Sequence, residues 1–428
     1  MLQRFATLLF TGSLICTIPL AAGSLFGEDW PEWRGPHRDG MSSETGLKFN
    51  WDQQKPRLLW SMNKLGSGYA SVAVVGDRIY TTSNGEVSQA VLAIDAKSHQ
   101  IVWAGKMTAD VPSHGYDGSR CTPAVDGDLL YAISSNGQIV CMKTSNGDIV
   151  WKKDFVKEWD GKMMSGWGFS ESPLVDGDLV LCTPGGDNAM IVALDKRTGD
   201  EVWASPAPKG EKGNDGAGYA SIKISNAAGV KQYVQMGGRG AFGVRASDGE
   251  LLWSYNKVAN GTANIPDLMV NGDYIFCSTS YNTGSAYLHL TKEGDGIKAT
   301  EEYFLEPRTF QNHHGNMILL DDYVYAGQGH KNGLPICIHA PTGEVKWGGD
   351  FRGPGKESAA VIYADGHVIF RYQSGEVAAI KASPDGYELV GTFTPEVVNP
   401  PAWAHPAIAD GKLYLRDQDT LMVYDISK

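Results

Sequence analysis

The chain has no adjacent cysteine pair, no long apolar run beyond its first two dozen residues and no surplus of positive charge. Each absence removes a class of answer. Five of its cysteines, Cys121, Cys141, Cys182, Cys277 and Cys337, stand far apart, each within a segment that reads as a strand. An odd number at such spacing makes neither a disulfide framework nor a zinc motif. They read as small buried apolar side chains, with one chance bridge between neighbouring repeats left open. The 37 basic residues face 49 acidic ones, a net charge of −12, which argues against nucleic acid and anionic membrane surfaces as partners. Nowhere after residue 24 do apolar residues keep a helical spacing over three turns.

The one apolar run lies at the start. Arg4 precedes a stretch, Ala6 to Ala22, of almost entirely apolar or small residues, and Ala21-Ala22-Gly23 places small side chains before Ser24. That is the pattern of an export leader removed after residue 23. The run is short for a membrane span and no second one follows, so no transmembrane segment is expected. Ile15, which is not small, precedes Cys16 and argues against a lipid anchor. The processed protein is expected in the periplasm or at the cell surface.

Glycine and tryptophan are plentiful, with 52 and 12 copies. They are ordered in a repeat. Ala193-Leu194-Asp195-Lys196-Arg197-Thr198-Gly199-Asp200-Glu201-Val202-Trp203 recurs as Ala93–Trp103, Cys141–Trp151, Gly243–Trp253 and Cys337–Trp347, with weaker copies at Leu288–Phe304 and Ala379–Phe393. A second element precedes each copy, an alternating apolar run broken by an aspartate–glycine turn, as in Thr122–Tyr131. Its relatives centre on Gly76, Gly177, Gly272, Asp321, Asp365 and Asp410, with a degenerate copy near Ala228. The whole recurs eight times at intervals of about 43 to 52 residues. The turns divide each unit into four short strands, A to D. One such sheet cannot bury both faces, so the units must stack around an axis as blades. The chain ends within a strand C, Val423–Ile426, and the missing strand D appears near the start as Leu58-Leu59-Trp60-Ser61. The expectation is an all-β, eight-bladed propeller whose last blade is closed by the N-terminal strand. Its divisions are a leader over 1–23, a lead-in over 24–57 and a ring over 58–428.

The Ala-x-Asp-x-x-Thr-Gly-x-x-x-Trp element, complete at Ala193–Trp203, resembles the tryptophan-docking motif of pyrroloquinoline-quinone (PQQ) propellers. The resemblance extends from about residue 58 to the end. It implies that Trp60, Trp103, Trp151, Trp203, Trp253 and Trp347 sit between blades and stack on the next blade's backbone, with the indole N–H satisfied there. The lead-in Trp30-Pro31-Glu32-Trp33-Arg34-Gly35-Pro36-His37-Arg38-Asp39-Gly40 is similar to the start of many exported bacterial PQQ-like proteins. Trp30 and Trp33 suggest that it packs on the ring.

The resemblance is specific for fold and not for function. One branch, similar in size to the propeller lipoprotein of outer-membrane protein assembly, is a non-catalytic scaffold. Another is the quinoprotein dehydrogenases of alcohols and sugars, which hold PQQ over a tryptophan floor, a calcium bound by Glu, Asn and Asp, and often a disulfide between adjacent cysteines. Such a pair is missing here, as is a Cys-x-x-Cys-His motif, and no aspartate stands out as catalytic. The expected role is binding or scaffolding of a protein or glycan by a monomer, with PQQ and calcium as the alternative.

The A–B and C–D turns are short, whereas the B–C and D–A loops are long: Thr108–Gly118, Val156–Ser170, Pro206–Gly218, Ser280–Ala286, Gly327–Pro335 and Thr394–Ala404. Function concentrates in long loops on a rigid scaffold. The first residues of the innermost strands, or those just before them, should line the channel mouth there: Arg120, Trp167, Glu171, His313, His314, Asn316, Glu357 and His405. Each has two readings. His313 and His314 could ligate a metal, but neighbours on a strand point to opposite faces. Arg120 could hold an anion or pair with Asp117 or Glu171. Glu171 could bind calcium or act as a base, or pair with an arginine across the channel. Trp167 could be a stacking platform or pack beneath its loop. Arg371 and Arg416, at matching places in consecutive strands B, read as channel-mouth or inter-blade ion partners. Gly238-Arg239-Gly240-Ala241-Phe242-Gly243 mimics a dinucleotide fingerprint, but no helix pattern follows it.

Overall fold

The structure, a computed structural model, describes residues 28–428; the proposed leader lies outside them. Eight antiparallel sheets form the ring. Blade 1 runs Ala73–Val75, Arg78–Asn84, Gln89–Asp95 and Gln100–Lys106 from channel to rim, and its successors begin at Ala124, Leu174, Lys223, Met269, Met317, Ala359 and Ala407. Blade 8 joins three strands of the C-terminus to Arg57–Met62, with Trp60 opposite Val423. Each A–B turn contains at least one left-handed residue. Glycine supplies it at Gly76, Gly127, Gly177 and Gly272, and Asp321, Asp365 and Asp410 take the same conformation in the last three blades. Aspartate is among the few non-glycine residues that adopt it readily. The dinucleotide mimic is a two-residue hairpin, Gly238-Arg239, followed by the strand Gly240–Arg245. The five cysteines are buried and free.

The tryptophans close the gaps between blades, though not uniformly. Gly147, Gly199 and Gly249, each in the C–D turn of the following blade, lie against the rings of Trp103, Trp151 and Trp203 with no room for a side chain. The indoles of Trp103, Trp151 and Trp347 donate to the carbonyls of Thr144, Lys196 and Ser383 in the next blade. Three differ from expectation. Trp60 stacks on the ring of His99 in blade 1 rather than on a turn backbone. Trp253 donates to Gln232 of its own blade, because the long hairpin of blade 5, Gly284–Leu305, offers no turn at that height. The Trp203 indole N–H is buried without a partner. The weak copies are also shifted by one or two residues. In blade 5 the docking place is held by Tyr303, whose hydroxyl reaches the Ala340 carbonyl, rather than by Phe304. In blade 7 it is Gly391, opposite Ala379, and not Phe393.

Residues 28–51 pack across the short-turn face and dip into the channel. Trp30 pairs with Val74, and Met41–Ser42 runs parallel to Tyr363–Ala364 of the innermost strand of blade 7. Trp30, Leu47, Phe49 and Trp51 are buried in one core cluster with blades 7, 8 and 1. Gly391 has no side chain because the backbone of Phe49 and Trp51 occupies that space.

Candidate functional site: an aromatic cup at the channel mouth

The long D–A loops converge on a cavity of about 310 Å³ at the channel mouth. Its floor comes from the other end of the chain. The Trp33 indole donates to Asp267 Oδ2 at 2.9 Å, and its ring leans on His405 with centroids 4.7 Å apart. Arg34, next in sequence, is buried and donates to the carbonyls of Val361 and Met317, and at 3.4 Å to His405 Nδ1. Arg38 donates to the carbonyls of Ile222, Pro173 and Ser172 and pairs with Glu32. Strand A carbonyls facing the channel would otherwise lack partners, and two arginines supply the donors.

Asp267 is fully committed. Its oxygens accept from Trp33, the Ser221 amide and the Asn316 side chain, and Asn316 Oδ1 accepts from the Asp267 amide at 2.8 Å. The walls are Trp167, Trp403, Tyr69, Tyr116, Tyr219 and Tyr281, with four imidazoles, His313, His314, His330 and His405, between them. His313 meets Ser358 and the Tyr281 hydroxyl at 2.9 and 3.1 Å. Arg34 can only donate, so His405 Nδ1 accepts, and Nε2 must carry the proton it gives to the His314 carbonyl at 3.3 Å. Burial, with repulsion from neighbouring imidazoles and Arg34, holds His313 down to about 2 and His314 and His405 down to about 3. All three are neutral at ordinary pH.

Six of the eight sequence-predicted residues, Arg120, Trp167, His313, His314, Asn316 and His405, line this cavity. His313 and His314 both face it, their rings 4.1 Å apart. The alternation rule fails because strand A begins only at Met317, and Gly315 and the left-handed Asn316 intervene. Arg120 pairs with neither Asp117 nor Glu171. It donates to the carbonyls of Gly115, Tyr116 and Gly118, so it braces its own loop while its charge lies over Tyr69 at 5.7 Å. Glu171 meets no arginine; it is turned into the blades, where Thr183 donates through both N–H and hydroxyl and Gln235 adds a third bond. Burial raises its carboxyl to about 8 despite those donors. Glu357 is half-buried at a left-handed position off the cavity. Arg371 and Arg416 are inter-blade partners: Arg371 pairs with Asp417 at 3.1 Å, and Arg416 reaches Thr81 of blade 1. The sequence reading missed Trp33, Asp267 and the B–C loop residues Tyr281, His330 and Lys331. Trp33 was visible as an aromatic in the lead-in, but nothing in a repeat pattern tells that a segment outside the repeat enters the channel.

The PQQ-like repeat family, described as outer membrane protein assembly factor BamB, matches residues 105–349. The chain belongs to this family. Among its relatives, BamB of Alteromonas naphthalenivorans is 33% identical over 122 residues, covering 27% of this chain and 29% of that one. BamB of Kangiella koreensis is 26% identical over 228 residues, 52% of this chain and 49% of the relative. A quinoprotein ethanol dehydrogenase of Pseudomonas aeruginosa is 27% identical over 163 residues, 34% and 24% of the two chains. The aligned stretches thus span less than half of each of these relatives. The crystal structure of BamB from Moraxella catarrhalis superposes with a TM-score of 0.60 at 14% identity, over 86% of this chain and 97% of that one. Quinohemoprotein alcohol dehydrogenase from Comamonas testosteroni gives 0.66 at 13%, over 94% and 81%. At such identities the likeness is one of fold.

The two residues read as calcium-ligand candidates are engaged elsewhere. Glu171 is sealed against Thr183, and Asn316 spans the two ends of Asp267. Among the described residues, no group of three or more His, Cys, Asp or Glu could hold a metal. Glu171 and Asn316 thus do not present a shared ligand set to the cup.

Proposed function

We propose that this chain is an exported, non-catalytic binding propeller that holds a protein or glycan partner at its long-loop face, centred on the aromatic cup. In this reading residues 1–23 are a removed leader, 24–57 the lead-in and 58–428 the ring. The observation that carries it is the state of the polar groups in the cup. Asp267 is saturated by three donors and the buried imidazoles are neutral. A carboxylate base must be free to take a proton from substrate, and the one carboxylate beneath the cup is occupied, while burial holds His313, His314 and His405 well below the basicity such a step needs near neutral pH. Seven aromatic side chains instead offer contact surface, as binding faces do. The relatives named as assembly factors agree with a scaffold role. No helix among the described residues is long and apolar enough to cross a membrane.

Calorimetric titration of the processed protein with PQQ, with and without calcium, followed by dye-linked oxidation of alcohols and sugars, tests this. No calcium-dependent uptake and no turnover are expected. Calcium-dependent binding with turnover would replace the scaffold with a dehydrogenase.

A further inference from the structure

We infer that the cup binds an acidic saccharide of one or two rings. The inference rests on reading the long-loop face as a binding face and names the chemistry it takes. Three observations point to it. The cavity, about 310 Å³, is at the small end for small-molecule sites and suits one or two sugar rings. Its aromatic rings do not form a parallel slot for a flat conjugated ligand. Around the wall, Trp403 meets Tyr116 at 65° and Tyr69 at 43°, and Trp167 meets Tyr219 at 60°. Faces set at such angles each present one apolar plane, as a puckered ring with axial C–H bonds requires. Phenol, imidazole and hydroxyl groups lie between those planes, so a hydroxylated ring finds hydrogen-bonding groups beside each apolar face.

The charge of the cup then selects among saccharides. The protein as a whole is acidic, at −12, yet the cavity is lined by two cations, Arg120 and Lys331. Its single carboxylate, Asp267, is covered by Trp33, Asn316 and the Ser221 amide. The imidazoles of His313, His314 and His405 are neutral for the reasons given above. A local positive field over aromatic planes matches a sugar carboxylate and disfavours a cationic ligand. Lys331, exposed on the B–C loop of blade 6, is placed to meet the acid group.

The test is calorimetric titration of the processed full chain with digalacturonate and, as the neutral two-ring control, cellobiose. Two exposed positions give variants that leave the fold alone, Tyr116→Ala and Lys331→Gln, with unchanged melting as the check. Digalacturonate is expected to bind at least about tenfold more tightly than cellobiose. Tyr116→Ala should weaken digalacturonate about five- to tenfold and Lys331→Gln about threefold, the latter effect fading as salt rises. Equal affinity for the two sugars would overturn the acidic assignment. Binding of neither overturns the saccharide inference while leaving the scaffold reading in place. Calcium-dependent uptake of PQQ with turnover overturns both.

Discussion

Blades 1 and 2 are joined by Trp103 lying over Gly147; at the equivalent place between blades 7 and 8 the side chain is missing, and Gly391 faces the backbone of Phe49 and Trp51. The two junctions solve one problem with different material. Within the regular run a flat indole against a glycine turn fills the gap and satisfies one carbonyl. Around the seam, where the chain's ends meet, the repeat thins out. The lead-in brings Trp51, which packs edge-on against Phe393 at 5.1 Å. Two buried arginines link successive blades: Arg371 reaches from blade 7 to Asp417 and the Arg416 carbonyl, and Arg416 from blade 8 to Thr81 and Thr82. His99 replaces the turn glycine at φ 55° and stacks on Trp60. Repetition thus fills most of the junctions, and near the seam residues outside the repeat supplement it.

Removing the lead-in should produce the largest effect. A chain starting at Asp52 loses Trp30, Leu47, Phe49 and Trp51 from one cluster and leaves the carbonyls held by Arg34 and Arg38 unpaired. A loss of more than about 5 kcal/mol is expected in denaturant melts; an unchanged melt would mean that the ring closes without it. Arg371→Ala should cost about 3–5 kcal/mol because it strands the buried Asp417 carboxylate, and Arg371→Met with Asp417→Asn should recover much of that. Trp151→Ala, in the regular run, is expected to cost about 2–4 kcal/mol. A greater loss there than at Arg371 would invert the comparison.

The last expected effect appears only as pH changes. Glu171, between blades 3 and 4, has its carboxyl raised from 4.5 to about 8 by burial, so the folded protein keeps a proton that the unfolded chain releases. Its contribution is complete below pH 4.5 and is lost as pH rises towards 8. Melts of Glu171→Gln should show a flatter slope over that window. An identical slope in the variant would mean that Glu171 is ionised in the fold.

The blade count and the swap that closes blade 8 were legible, because each depends on turn residues and alternation that recur around the ring. Long loops were also readable, and they located the cup's mouth and six of its residues. What escaped was of one kind. The orientation of Glu171 is decided by Thr183 and Gln235, which come from other strands, and the readable rule for His313 and His314 failed at a left-handed Asn316 that breaks the strand. Tyr303 and Gly391 hid because neither is a tryptophan and the nearest aromatic ends, Phe304 and Phe393, lie one and two residues further along. Trp33 escaped since its partner, Asp267, is 234 residues away.

That distance has a bearing on how the molecule matures. Trp33 is among the first parts of the chain to be made, yet it is fixed by blade 5, and its neighbour Arg34 by blades 6 and 7. The cup therefore has no floor until nearly the whole polypeptide exists, and His405, against which that floor leans, belongs to the last blade. A truncated or half-wound chain carries the walls of the site without its base. Occupancy of the cup would then distinguish finished molecules from unfinished ones.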